Sequence, residues 1–99
     1  MSRLPEIQIN RFQLAILLND EQMQVYKLML EKGVFCRQCE GAAPKGILVK
    51  EIWLSNLNDI IVRGTCKECN GNVSRIMEFG EDKAFYKNAN NFRKGLLSD

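Results

Sequence analysis

The chain has 99 residues, of which 45% are hydrophobic and 26% are charged, and its formal net charge is +2. This length fits one domain with a thin core, and the longest purely apolar run, residues 14 to 18, is too short to span a bilayer. Residues 1 to 5 lead into mixed polar and apolar sequence rather than a secretory signal, so we expect a cytoplasmic protein without membrane attachment. Four cysteine thiolates around one divalent ion would lower the formal charge by two, to about zero, which argues against binding driven by bulk charge.

The first predicted element is a strand over residues 6 to 18. Phe12, Leu14 and Ile16 recur at period two, which favours a strand. The same segment also allows a helix, because Ile9, Phe12 and Ile16 lie at helical spacing. We prefer the strand.

The second predicted element is a helix over residues 20 to 32. Asn19 and Gln22 are spaced to form a capping box at its start. Gly33 is placed to end the helix in a left-handed conformation. The apolar stripe that we expect to pack on a sheet consists of Met23, Tyr26 and Leu30.

The middle of the chain predicts three strands. Residues 42 to 46 form a loop, residues 47 to 54 a strand, and residues 59 to 65 the return strand after a turn. A third strand is predicted over residues 73 to 79. The first two strands form a hairpin that begins after one cysteine pair and leads back to the other.

The last predicted element is a helix over residues 81 to 94. Acidic residues stand at its start and basic residues at its end, as the helix dipole favours. Gly95 is a predicted stop, followed by a loose tail at residues 96 to 99. The stripe expected to be buried consists of Phe85, Ala89 and Phe92.

The most informative motif is a duplicated CxxC pair that contains all four cysteines, Cys36, Cys39, Cys66 and Cys69. Four thiolates delivered as two such pairs are the ligand set of a tetrahedral structural zinc site. The chain has no histidine, so the predicted shell consists of four sulfurs. A closed shell of this kind leaves no position for a reactive water, which argues against a catalytic metal.

Three other uses of the cysteines remain open. They could form two disulfides, although a reducing cytosol disfavours these. A CxxC pair could be a redox dithiol, although this does not explain the duplication. Iron in a rubredoxin-like site is the third alternative, because a tetrahedron of four sulfurs suits iron as well as zinc.

The order of cysteine pair, hairpin, cysteine pair and third strand over residues 34 to 79 resembles the zinc ribbon superfamily. The four cysteines match, and Gly41 and Gly71 follow the two pairs, where we expect residues with positive φ. The 26 residues between the pairs exceed the roughly 15–20 of common four-cysteine sites. The resemblance implies metal binding, and zinc ribbons occur in transcription and translation factors, nucleic-acid enzymes and protein-contact modules.

We therefore predict an α+β fold built on a small antiparallel zinc-ribbon sheet of about three or more strands, flanked by an N-terminal and a C-terminal helix. Residues 1–33 would pack on the ribbon at residues 34–79, and residues 80–99 would form the last helix and tail, all in one domain. No constellation of catalytic residues stands out, so we expect a protein that is not an enzyme.

The partner is predicted to be a macromolecule, either a protein or a nucleic acid, and a homodimer is possible. Trp53 could stack on a base, although a single Trp in a small sheet is more often core. Acidic neighbours dilute the basic residues of the ribbon, and apolar N-terminal elements favour a protein contact. The basic residues available for phosphates are Lys45, Lys50, Arg63, Lys67 and Arg75 on the ribbon, and Lys83, Lys87 and Lys94 on the last helix.

Overall fold

The structure is a computed structural model that describes residues 5–97. Within this range, three α-helices accompany a four-stranded antiparallel sheet and a two-stranded sheet, which confirms the predicted α+β class. None of the helices in the described part of the chain is long and apolar enough to cross a membrane. The elements are β1 Ile7–Ile9, α1 Arg11–Leu17, α2 Asp20–Lys32, β2 Phe35–Cys36, β3 Gly41–Ala42, β4 Ile47–Leu54, β5 Ile60–Cys66, β6 Asn72–Met77, a 3₁₀ turn Phe79–Glu81, and α3 Lys83–Leu97.

The larger sheet has the strand order β1-β4-β5-β6, with antiparallel neighbours throughout. Strands β4 and β5 form the long hairpin predicted between the two cysteine pairs. A bulge interrupts their register between Val49 and Glu51. Strand β1 is short and pairs only with the last part of β4, from Ile9 opposite Ile52 to Ile7 opposite Leu54.

The core lies on one face of this sheet. Alternate strand residues such as Ile52, Ile60 and Val62 are buried in one apolar cluster with helix residues such as Leu14 and Phe85. Because side chains alternate across a strand, the intervening residues occupy the opposite face. The helices therefore cover one face and leave the other to the sheet's own side chains.

The prediction of a strand over residues 6 to 18 is wrong beyond Ile9. The side chain of Asn10 accepts a hydrogen bond from the backbone N–H of Gln13 at 2.8 Å, and the Gln13 side chain accepts one from the Asn10 N–H at 2.9 Å. This capping box starts α1, since it satisfies two N–H groups that a new helix leaves free. Leu14 is consequently buried, whereas Phe12 is 71% exposed.

Helix α2 confirms the predicted helix at residues 20 to 32. Asn19 and Gln22 form the expected capping box, with hydrogen bonds of 2.8 and 3.0 Å. Tyr26 is buried, and Met23 and Leu30 of the same stripe pack against the core. The predicted left-handed Gly33 is wrong: its φ is −111°, and its N–H closes the last turn on Met29.

The C-terminal elements differ from the prediction at their ends. Strand β6 stops at Met77, and a 3₁₀ turn intervenes before α3 begins at Lys83. The expected stripe is confirmed, with Phe85 and Ala89 buried and Phe92 packed beside them. The helix continues through Gly95 to Leu97, so the predicted stop and the predicted tail at residues 96 and 97 are wrong. Residues 98 and 99 of that tail lie outside the described residues.

Candidate metal centre

The four cysteines meet at one end of the hairpin. All of their sulfur atoms lie within 4.8 Å of one another. The sulfur of Cys36 is 3.4 Å from that of Cys69, and the sulfur of Cys39 is 3.9 Å from that of Cys66. The sulfurs of the two CxxC pairs are therefore as close to one another as a tetrahedral four-sulfur shell with metal–sulfur distances of about 2.3 Å requires.

Strand pairing brings the two cysteine pairs together. Cys36 ends β2 and stands opposite Gly41 of β3, while Cys66 ends β5 and stands opposite Ile47 of β4. The second cysteine of each pair lies in the turn that follows. In the second pair this turn is closed by a 2.8 Å hydrogen bond from the Asn70 N–H to the Cys66 carbonyl.

The residues with positive φ precede the two glycines. Glu40 has φ 56° and Asn70 has φ 62°, so the prediction that Gly41 and Gly71 supply this conformation is wrong. Asn tolerates the left-handed region better than most residues, and the sequence pattern gave no reason to place a Glu there. An added Cβ at Gly71 would lie 3.1 Å from the side-chain oxygen of Gln38, so this glycine leaves room for the Gln38 side chain beside the second cysteine pair.

Backbone N–H groups point at two of the sulfurs. The N–H of Cys39 lowers the pKa of the Cys36 thiol to about 7, against the opposing effect of burial. The N–H of Gly71 acts in the same direction on Cys69, but the neighbouring Cys36 thiol and burial outweigh it and raise the pKa of Cys69. Such N–H groups spread the charge of a thiolate.

Burial and the neighbouring thiols both oppose ionisation of Cys39, the second cysteine of the first pair. Burial, followed by the adjacent thiols, raises the pKa of Cys39 to about 12. A divalent cation among the sulfurs would overcome this raised pKa, since a thiol that coordinates a metal ion is deprotonated outright. The four cysteines are free, and the sulfur separations of 3.4 and 3.9 Å exceed the roughly 2.05 Å of a disulfide. The residues present therefore fit a thiophilic metal ion.

Trp53 and Arg63 lie together on the β4–β5 hairpin, whereas Lys67 lies within the second CxxC pair. Trp53 is half-buried on the sheet face opposite the core, where its Nε1 donates to Glu51 at 2.8 Å. The guanidinium of Arg63 lies 5.6 Å from the indole ring. At the metal end, Lys45 pairs with Glu68 at 3.0 Å, so acidic neighbours do engage ribbon cations, as the sequence predicts.

One surface was not foreseen from the sequence. A groove of about 810 Å³ separates β4 from α1 and α2. The prediction of a strand over residues 6 to 18 did not allow for this groove, because α1 residues such as Phe12 and Leu14 line it. The available signal was the repeated spacing of Asn10 with Gln13 and of Asn19 with Gln22, which marks two helix starts.

No protein-family model, no curated protein and no solved structure matches this chain. The fold and the site together define an α+β protein with a four-cysteine cluster able to hold a metal ion. Its geometry is consistent with a site of the zinc-ribbon kind.

Proposed function

We propose that this chain is a non-enzymatic module whose fold is organised by one structural zinc ion and which binds a macromolecular partner. The observation that carries the zinc proposal is the convergence of four cysteine sulfurs within 4.8 Å. Cys36, Cys39, Cys66 and Cys69 would be the ligands. Zinc held by four thiolates supplies folding energy and keeps no open position for chemistry.

Iron is the second candidate, since the same four-sulfur shell suits a rubredoxin-like electron carrier. Elemental analysis and an absorption spectrum of protein purified without added metal separate the two. We expect about one zinc per chain and no visible colour. Iron at the same stoichiometry with strong visible absorption would replace zinc and make electron transfer the function.

A protein partner is favoured over nucleic acid by the surface. Phe12 is 71% exposed and Ile16 is 75% exposed, one helical turn apart on α1. Large apolar side chains grouped in this way are more typical of a protein contact than of a phosphate-binding surface. The near-zero charge expected of the metal-loaded chain points the same way.

Salt dependence tests the choice of partner class once a ligand is in hand. Affinity for a nucleic acid should fall steeply between low and physiological salt. Affinity for a protein that buries apolar surface should change much less over the same range. A steep loss with single-stranded or duplex probes would reverse the preference.

A further inference from the structure

Part of the edge of β4 has no strand beside it. Strand β5 pairs with one side of β4, and β1 pairs with the other side only at residues 52–54. In the portion of the chain that the structure describes, no strand lies on that second side at residues 48–51. A strand edge of this kind presents backbone N–H and C=O groups that can pair with another chain.

This bare edge forms one wall of the groove of about 810 Å³. The volume falls within the range of about 300–1,000 Å³ typical of binding pockets. Leu48 and Val49 line it from β4, Phe12 from α1, and Tyr26 and Leu30 from α2. Phe12 is 71% exposed, so a large apolar side chain is accessible at the groove.

The charges around the groove are mostly positive. Arg11, Lys27 and Lys50 line it, and Glu51 is its one acidic lining residue among those described. Glu51 is already engaged, since it accepts a hydrogen bond from Trp53 and lies 3.9 Å from a guanidinium nitrogen of Arg63. The three cations form no ion pair within residues 5–97. The groove therefore complements a ligand with negative charge.

We infer that this groove binds an extended, acidic segment of a partner protein, which adds as a strand beside residues 48–51 of β4 in line with β1. Strand addition of this kind takes affinity from backbone hydrogen bonds and specificity from alternate side chains. The inference rests on the proposed function, of which it names the partner.

A second copy of this chain fits the groove less well. Its equivalent edge would bring the same three cations, Arg11, Lys27 and Lys50, against themselves. The bulge between Val49 and Glu51 also twists the edge, which limits long edge-to-edge pairing. A short peptide of opposite charge avoids the like-charge contact and needs to pair with only a few residues of the edge.

A selection from random displayed peptides of about twelve residues tests the inference, with the zinc-loaded full chain as bait. We expect enriched sequences in which Asp or Glu alternates with apolar residues. Addition of an enriched peptide should shift the amide resonances of residues 48–51 of the chain. Selection that enriches nothing, or peptides without acidic excess, would overturn the inference.

A pair of charge-matched variants locates the electrostatic contribution. Lys27→Glu, at the groove, should weaken binding of the selected peptide at least about threefold. Lys87→Glu removes an exposed lysine of α3 that does not line the groove and should leave binding unchanged. Equal losses in the two variants would show that net charge, not the groove, attracts the peptide.

Backbone methylation of the peptide tests strand addition without altering the protein. Peptides N-methylated at one set of alternate residues should lose binding, and those methylated at the other set should retain it. Equal retention by both sets would exclude a strand, and displacement by a single-stranded oligonucleotide at these amides would point to nucleic acid instead. Metal content of the same sample separates failure of this inference from failure of the zinc proposal.

Discussion

The Nε of Arg93 donates a 2.8 Å hydrogen bond to the side-chain oxygen of Asn58, across 35 positions of the chain. Both residues are almost fully buried, at 6% and 0% exposure. The remaining guanidinium nitrogens donate to the backbone carbonyls of Ser55 and Pro5. Backbone carbonyl oxygens and a side-chain amide oxygen thus bind this buried cation. Within residues 5–97 it forms no ion pair with a carboxylate. These hydrogen bonds link α3 to the turn of the β4–β5 hairpin and to the N-terminal segment at Pro5.

Arg93→Lys should destabilise the protein by about 2–3 kcal/mol. Lysine lacks the planar guanidinium group that donates to three acceptors at once. A buried acceptor left without a hydrogen bond costs about 1–3 kcal/mol. Urea unfolding of the metal-loaded protein measures the effect. Lys94→Arg, at an exposed neighbouring position, should change the free energy of unfolding by less than about 0.5 kcal/mol. Similar values for the two variants would show that the buried network contributes little.

Asp59→Asn should stabilise the protein at neutral pH by on the order of 0.5–1 kcal/mol. Burial raises the pKa of Asp59, against the hydrogen bond from the Gly80 N–H, and Glu78 raises it further. A carboxyl whose folded pKa is raised loses stability as the pH rises through that pKa. The asparagine avoids this loss and still offers an oxygen to Gly80, which donates to Asp59 at 2.9 Å.

The pH dependence of the difference in unfolding free energy between Asp59→Asn and the wild type tests this prediction. The advantage of Asp59→Asn should be constant near neutrality and should shrink as the pH falls toward the raised pKa. Asp82→Asn is the control, since Asp82 accepts from the Phe85 N–H at the start of α3 and Asn caps a helix about as well as Asp. An advantage that grows on acidification would contradict the assigned sign.

Gly64→Ala should cost more than about 2 kcal/mol of stability. Gly64 lies opposite Val49 at the bulge, and an added Cβ would sit 2.0 Å from the Leu48 carbonyl oxygen. Backbone must therefore move to accommodate it. Gly41→Ala is the matched control, because nothing lies within 4 Å of its added Cβ. Thermal melts of equal midpoint for the two variants would rule out the close approach.

Glu40→Gly should stabilise the protein at the first cysteine turn by roughly 0.5–1 kcal/mol. Glu40 has φ 56°, a conformation that costs about 1–2 kcal/mol for a residue with a Cβ and nothing for glycine, less the extra entropy of glycine when unfolded. Asn70→Gly should gain less, since Asn tolerates this region at φ 62°. Chemical denaturation of the zinc-loaded variants ranks them, and a gain confined to Asn70→Gly would refute the explanation.

Cys39→Ala should leave the domain largely unfolded. The loss of one of four ligands removes much of the metal's contribution to folding. Far-ultraviolet circular dichroism and a thermal melt report the outcome. A cooperative melt like that of the wild type would refute the structural role of the cluster.

The parts of the fold that could be predicted from the sequence are those with local signals. Helix α2 has its capping box at Asn19 and Gln22, and the CxxC spacing of the cysteines already predicts that their four sulfurs come together. The prediction for the segment around Asn10 is wrong because its apolar residues recur at period two, which conflicts with the capping signal of Asn10 and Gln13. The contact between Asn58 and Arg93 could not be predicted, since it joins distant positions and no local pattern encodes it.

The measurement that tests the central claim most directly is a zinc titration of the reduced, metal-free chain, followed by circular dichroism and amide NMR spectra. We expect folding that is complete at about one zinc per chain and is reversed by a chelator, because the four cysteines bring their sulfurs within 4.8 Å of one another. A metal-free chain that already gives the folded spectrum, unchanged by zinc, would contradict the claim that a metal at these cysteines organises the fold.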